Sequence, residues 1–310
     1  MQGYLERVLK TIGEQYGSKT TAGIIMDPKT GAIIALGAHP TFDLNDFESS
    51  DVQHYKNPLV EDVHEFGSIM KPITMAAGLD AGAVTAATTY NDAGRLTLDK
   101  STISNFDGKG RGVVPMQEVL SQSLNTGATF VMQKMGKDTF REYLRKFGIM
   151  EETGIDLPNE GSPLTDNLNS PRMIEYATAS FGQGFATTPV AMAKALATLA
   201  NGGVVPQPHV VSDILYAGGL SKHIAWGQNI SAISPESSEE ITRMLVEVVD
   251  TALLGGKAKQ ERYSVAAKTG TAQISNPNGG GYYDDRYLHS FFGYFPAYDA
   301  KFLIFLYTVE

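Results

Sequence analysis

The sequence predicts an α/β chain of the α+β type, in which one sheet is assembled from distant segments around a helical insert. Three observations carry this. Short apolar runs of strand length lie at both ends, TAGIIMD and AIIALGA near the start and SVAAKTGTA, HSFFGYF and KFLIFLY near the finish. Between them apolar positions recur at helical spacing. No repeat, low-complexity tract or linker divides the 310 residues, so one domain over 1–310 is expected.

Tyr4, Leu5, Val8, Leu9 and Ile12 mark one face of an opening helix that stops near Gly17. Pro28, Lys29, Thr30 and Gly31 separate the first two apolar runs and make them a hairpin. Residues 38–66 are polar and aperiodic, a long loop. Residues 69–79 are rich in Ala and Met and apolar almost all round, which predicts a buried central helix. Over 85–115 Thr, Asn, Asp and Gly accumulate, and irregular connections are expected. Helix follows over 116–136, broken at 123–125, and again over 139–147. The glycines of FGQGF suggest a tight approach of backbone near a site. Thr188 as cap, Pro189 in the first turn and Asn201, Gly202 and Gly203 as a stop specify the next helix. HVVSDIL reads as strand and 235–254 as helix. Residues 279–281 with Tyr282, Tyr283, Asp284 and Asp285 are expected to loop at the mouth of a groove.

Composition narrows the function. The 25 basic and 34 acidic residues give a net charge of -9, with no basic patch, so nucleic acid is not a partner to expect. There is no cysteine, which removes thiolate chemistry and disulfides. The six histidines never fall at HxxxH or HExxH spacing, and neither GxGxxG after a strand nor a phosphate-binding loop occurs, so neither a metal nor a cofactor is called for. The longest wholly apolar run, 302–307, is far short of the ~20 residues that span a bilayer. The chain alone reads as soluble.

The chemistry begins at GSIMKP. Ser68 and Lys71 lie one turn apart on one face of the buried helix. Desolvation in an apolar setting pulls a lysine toward the range of a general base, and a serine hydroxyl needs such a base to become a nucleophile. At a helix N-terminus, free backbone N–H groups can also stabilise an oxyanion. Alone, SxxK is weak, since Ser68 could simply cap the helix. Two further strings add weight. Ser123 and Asn125 sit on the helix interruption, and Lys268, Thr269, Gly270 and Thr271 lie in a strand. There a hydroxyl can relay a proton, a carboxamide can hold a substrate amide, Gly270 can let a substrate backbone pair along the strand, and the lysine with two threonines can bind a carboxylate.

The order SxxK, SxN, KTG is the signature of penicillin-binding proteins and serine β-lactamases. With IIMDPKTGAIIALGAHPTFDLN, HEFGSIMKP, TGIDLPNE, SFGQGFATTPVAMAKALATLANGG and VAAKTGTAQ, the whole chain resembles the transpeptidase domain of class B penicillin-binding proteins. The resemblance implies a five-stranded antiparallel sheet flanked by helices, plus a mostly helical lobe, with the active site between them. It implies a D,D-transpeptidase that crosslinks peptidoglycan stem peptides in elongation, division or sporulation and is acylated by β-lactams. Ser68 would attack the D-Ala-D-Ala carbonyl, Lys71 would take its proton, and Ser123 with Lys268 would pass a proton to the leaving D-Ala. Asn125 would orient the peptide amide, Thr269 and Thr271 would take the carboxylate, and the N–H groups of Ser68 and Thr271 would form the oxyanion hole.

Leu124 within the second motif is expected to point away from the chemistry. The resemblance also implies a membrane anchor and pedestal domain upstream, on the extracytoplasmic face of the cytoplasmic membrane, with a partner such as a glycosyltransferase. Neither upstream element is in this sequence. A further strand and a C-terminal helix are expected beyond residue 310, leaving the sheet a strand short. A β-lactamase or lactam-sensing domain, a D,D-carboxypeptidase and a non-enzymatic scaffold share these motifs. No dedicated deacylating carboxylate is evident for the first, and a scaffold would not need a nucleophile paired to a base.

Overall fold

A computed structural model describes residues 1–227, 230–276 and 279–310. The opening helix, α1 (Gln2–Tyr16), ends where Gly17 turns left-handed at φ 61° and its N–H returns to the Gly13 carbonyl. Leu5 and Leu9 bury themselves against Ile25 and Ala35 on the outer face of the sheet. The hairpin follows as β1 (Thr20–Met26) and β2 (Ile33–His39). Helix α2 (Pro58–Glu61) interrupts the long polar segment, with Asn57 as its cap.

A 3-10 turn over Gly67–Met70 carries Ser68, and the central helix α3 (Lys71–Asp80) starts at Lys71. The α3 side chains from Ile73 to Ala77 are buried, as an all-round apolar helix must be. Segment 85–115 differs from expectation. It forms two small antiparallel pairs, β3 (Thr89–Asp92) with β6 (Gly112–Pro115) and β4 (Arg95–Leu98) with β5 (Ser101–Ser104). Strands of four residues are too short to show a clear alternation in sequence, and in β3 it is the polar Asp92 that points inward.

The helical lobe continues through α4 (Met116–Ser121), α5 (Asn125–Met135), α6 (Lys137–Lys146), α7 (Met173–Ala179) and α8 (Pro189–Thr198). Thr188 caps α8 by accepting from the Ala191 N–H. Of HVVSDIL only β7 (Asp213–Leu215) is strand, paired with β8 (Ser221–His223). Helix α9 (Pro235–Glu247) is shorter than expected, giving way to a π turn over Val248–Ala252.

The chain then returns to the sheet as β9 (Ala266–Ser275), β10 (Tyr282–Phe295) and β11 (Phe302–Val309). The strand order is β2-β1-β11-β10-β9, antiparallel throughout. Two expectations are corrected here. The sheet is not a strand short: KFLIFLY lies at its centre, with Phe305 opposite Ile24 on β1 and Phe292 on β10, so its N–H and C=O groups have partners on both sides. Tyr282 to Asp285 belong to β10 rather than a loop, because Tyr282 already pairs with Ser275 ahead of a register shift. The inner face meets the segment carrying Ser68 through Phe66, whose ring sits edge-on to Phe305 at 5.3 Å. A Phe in such a contact contributes ~2–3 kcal/mol by burial. The sheet, the 3-10 turn and α3 are thereby held together, and β9 remains as an edge strand facing the helical lobe.

Candidate active site

Ser68 is held between two backbone segments. Gly67 has φ 62°, and a Cβ there would meet the Thr271 carbonyl oxygen at 2.2 Å; one on Gly182, at φ 84°, would meet the Gly67 carbonyl oxygen at 2.2 Å. The Gly67 N–H donates to the Gly182 carbonyl at 3.1 Å. The tight approach expected of FGQGF is therefore a clamp on Gly67, the residue before Ser68. Because the Thr271 carbonyl projects toward Gly67, and a strand residue directs its own N–H to the same side, the Thr271 N–H also faces this turn.

Lys71 Nζ lies 2.9 Å from Ser68 Oγ, 3.0 Å from Ser123 Oγ and 2.6 Å from the Ser123 carbonyl oxygen. Lys71 is 1% exposed. Burial, reinforced by the positive charge of Lys268, holds it well below the ordinary lysine range. A neutral amine offers two N–H donors and one lone pair, so it can donate to both Ser123 oxygens and receive the Ser68 hydroxyl proton.

Ser123 reaches Lys71 because its backbone is left-handed, φ 56°, between α4 and α5. Leu124 turns into the core at 1% exposure, as expected. Asn125 opens α5, and its Nδ2 donates to the Ser104 carbonyl at 2.9 Å. Behind it, buried Asp92 accepts from Asn105 Nδ2, Thr126 Oγ1 and the Gly94 N–H.

On β9 the pleat alternates. Thr269 and Thr271 are exposed, while Lys268 and Gly270 are buried. Burial brings Lys268 down to about 8, and its Nζ donates to the Thr269 carbonyl at 3.1 Å rather than to Ser123. Gly270 answers the protein's own packing, since a Cβ there would meet Ser290 Oγ at 2.4 Å and the Phe66 carbonyl oxygen at 2.8 Å. The structure thus gathers Ser68, Lys71 and Ser123 into one hydrogen-bonded cluster, and places Asn125 at the start of α5 and Lys268, Thr269, Gly270 and Thr271 on β9.

A profile of the penicillin binding protein transpeptidase domain matches residues 21–310. The chain belongs to the penicillin-binding protein transpeptidase family. It is 30% identical to penicillin-binding protein PbpB of Mycolicibacterium smegmatis over 98% of this chain and 48% of that protein. It is 31% identical to stage V sporulation protein D of Bacillus subtilis over 99% of this chain and 48% of that one. The chain therefore spans about half the length of these relatives. The crystal structure of penicillin binding protein 3 from Mycobacterium tuberculosis, complexed with aztreonam, is similar with a TM-score of 0.91 and 26% identity, covering 100% of this chain and 70% of that one. The fold that the sequence resemblance implied is the family's fold.

Near Ser68 the structure also places Glu65, to which the sequence reading assigned nothing, and Tyr282, which that reading put at the mouth of a groove. Glu65, three positions before Ser68, accepts from the Gly184 N–H at 3.1 Å and from the Tyr282 hydroxyl at 2.9 Å. Burial raises its carboxyl to about 6. The string HEFGS placed Glu65 three residues before Ser68, but only the fold brings Tyr282 to it.

Proposed function

We propose that this chain is the catalytic domain of a serine D,D-transpeptidase, with residues 1–310 forming one domain, that crosslinks peptidoglycan stem peptides and is acylated by β-lactams. The observation that carries this reading is a fully desolvated Lys71 amine 2.9 Å from Ser68 Oγ. Ser68 Oγ bonds to the carbonyl carbon of the penultimate D-Ala while its proton passes to Lys71 Nζ. The oxyanion develops between the N–H groups of Ser68 and Thr271. Asn125 holds the peptide amide, and Lys268 with Thr269 and Thr271 receives the terminal carboxylate. Gly270 admits Phe66 and Ser290 against the strand, which keeps Thr269 and Thr271 on its exposed face. As the C–N bond breaks, the leaving D-Ala nitrogen takes a proton from Ser123 Oγ, which is replenished from Lys71 at 3.0 Å; the Lys268 charge favours that transfer. An amine of a second stem peptide then attacks the ester carbon, and the same groups run in reverse.

The likeness to relatives about twice as long supports placing this domain in a larger protein. We propose that the larger protein acts at the extracytoplasmic face of the cytoplasmic membrane beside a glycosyltransferase. Among the described residues no helix is long and apolar enough to cross a membrane.

The test is intact-protein mass after incubation with benzylpenicillin, followed by peptide mapping. A long-lived penicilloyl adduct on the peptide carrying Ser68, absent in Ser68→Ala, is expected. An adduct elsewhere, or one that survives Ser68→Ala, removes the assignment. Rapid loss of the adduct with hydrolysed penicillin would favour a β-lactamase instead.

A further inference from the structure

At the far edge of the sheet a cavity of about 500 Å³ lies between the start of β2, the segment that follows α8 and the end of β8. β2 and β9 are the two edge strands, four strand spacings apart, which at ~4.8 Å each puts this cavity about 19 Å from β9. It is no part of the site around Ser68.

His209 is the fixed point of its wall. The backbone is pinned to the start of β2, where the His209 N–H donates to the Gly31 carbonyl at 3.1 Å and its carbonyl accepts from the Ile33 N–H at 2.8 Å. The side chain is only 7% exposed. Its Nδ1 stands 2.8 Å from the Gln207 carbonyl, which can only accept, so Nδ1 carries a proton and a neutral ring leaves Nε2 as an acceptor. Nε2 has no hydrogen-bond partner among the described residues, yet it is not sealed from solvent. Its opening is the cavity that His209 lines.

Trp226, the one tryptophan of the chain, stacks on His209 with ring centroids 5.1 Å apart and planes 11° from parallel. Its Nε1 donates to the Val211 carbonyl at 2.5 Å, so the half-buried indole offers the cavity apolar surface alone. Pro206 and Ile224 extend that surface. The nearby charges are matched, Lys29 by Asp299 and His223 by Asp213, and no Asp or Glu is among the described lining residues. Thr30 accepts from the Ala32 N–H and keeps its own O–H to donate. An occupant must therefore be uncharged, present a C–H face to the indole and bring an N–H donor to Nε2 beside that face. A pyranose ring bearing an acetamido group has all three properties.

We propose that this cavity is a non-catalytic binding site for an N-acetylated amino sugar of a glycan strand. The sugar lies on Trp226, its acetamido N–H donates to His209 Nε2, and the Thr30 hydroxyl donates to a ring or hydroxyl oxygen. Its purpose rests on the transpeptidase reading above: a glycan strand anchored here keeps the stem peptides it carries concentrated around the protein.

The probe is tri-N-acetylchitotriose. Because Trp226 is the one tryptophan, its emission reports this site directly, and calorimetry checks the same titration. The wild type should bind with a Kd of about 1 mM or tighter. Cellotriose, the same backbone without acetamido groups, should bind about tenfold more weakly for want of the hydrogen bond to Nε2. His209→Phe keeps the stack and removes Nε2, and should erase that preference. Ala225→Tyr, at an exposed position of the lining, fills the cavity and should weaken chitotriose about tenfold or more, with benzylpenicillin acylation within about twofold of wild type; it carries the test if His209→Phe fails to fold. Absence of both a saturable emission change and heat, equal binding of cellotriose, or undiminished binding by Ala225→Tyr overturns the site. Acylation of the wild type by benzylpenicillin separates the two readings: acylation without chitotriose binding removes the sugar site alone, whereas chitotriose binding without acylation removes the transpeptidase reading and leaves the sugar site standing.

Discussion

Replacing Lys268 by methionine should make the protein more stable and less active. Burial holds the Lys268 ammonium at about 8 instead of the ordinary 10.5. At ~1.4 kcal/mol per tenfold change, this displacement corresponds to about 3 kcal/mol of penalty on the charged form in the folded state. Methionine keeps much of the stem volume and removes the charge. It also loses the hydrogen bond to the Thr269 carbonyl, worth ~1 kcal/mol or somewhat more. The expected net gain at pH 7 is about 1–2 kcal/mol, a rise of a few degrees in melting temperature.

The sign of the pH dependence follows from the same numbers. The folded protein releases this proton near pH 8, whereas the unfolded chain keeps it to about 10.5. Between those values the unfolded state binds more protons, so wild-type stability gains as pH rises through the window. The advantage of Lys268→Met should therefore be full at pH 7 and mostly gone by about pH 10. Urea unfolding of both proteins at the two pH values measures it. Benzylpenicillin acylation should meanwhile fall by about 100-fold or more, since the carboxylate loses its cation. The residual rate should move to higher pH, because Lys268 is one of the two causes that hold Lys71 low. A variant less stable than wild type at pH 7, or one whose advantage is the same at pH 10, would refute the reasoning.

Lys71→Arg should reduce acylation by about 10³-fold with Ser68 intact, because a guanidinium cannot give up its proton near neutral pH; stopped-flow measurements with a fluorescent penicillin read this directly. Gly67→Ala places a Cβ 2.2 Å from the Thr271 carbonyl oxygen at φ 62°, and should cost about 2 kcal/mol or more in stability and ~100-fold in acylation by parting β9 from Ser68. Retention of both would show that the clamp is not needed. Asp92→Ala strips the buried acceptor shared by Asn105, Thr126 and the Gly94 N–H, with an expected loss of about 3–4 kcal/mol in urea unfolding; slower acylation should accompany it, because the same network backs Asn125.

What the sequence determined by itself were features whose physical cause lies within a few residues. Gly17 can only stop α1, Thr188 with Pro189 can only start α8, and Ser68 and Lys71 must share a helical face whatever surrounds them. The motif strings likewise singled out Ser68, Lys71 and Ser123, whose side chains the structure joins at Lys71 Nζ. The tertiary structure decided everything that depends on segments meeting across long stretches of chain. It put the last apolar run at the centre of the sheet, since β1 supplies from the other end of the sequence the partner that run lacks locally. It folded a polar, aperiodic stretch into four short strands around Asp92, whose burial is stabilised by donors 13 and 34 residues away. It made Gly270 a packing requirement of Phe66 and Ser290. It brought Tyr282 to Glu65 across 217 positions of sequence. Periodicity and capping report the neighbours along the chain, whereas the surroundings of Ser68 arise only where β9, β10 and the segment before α3 converge.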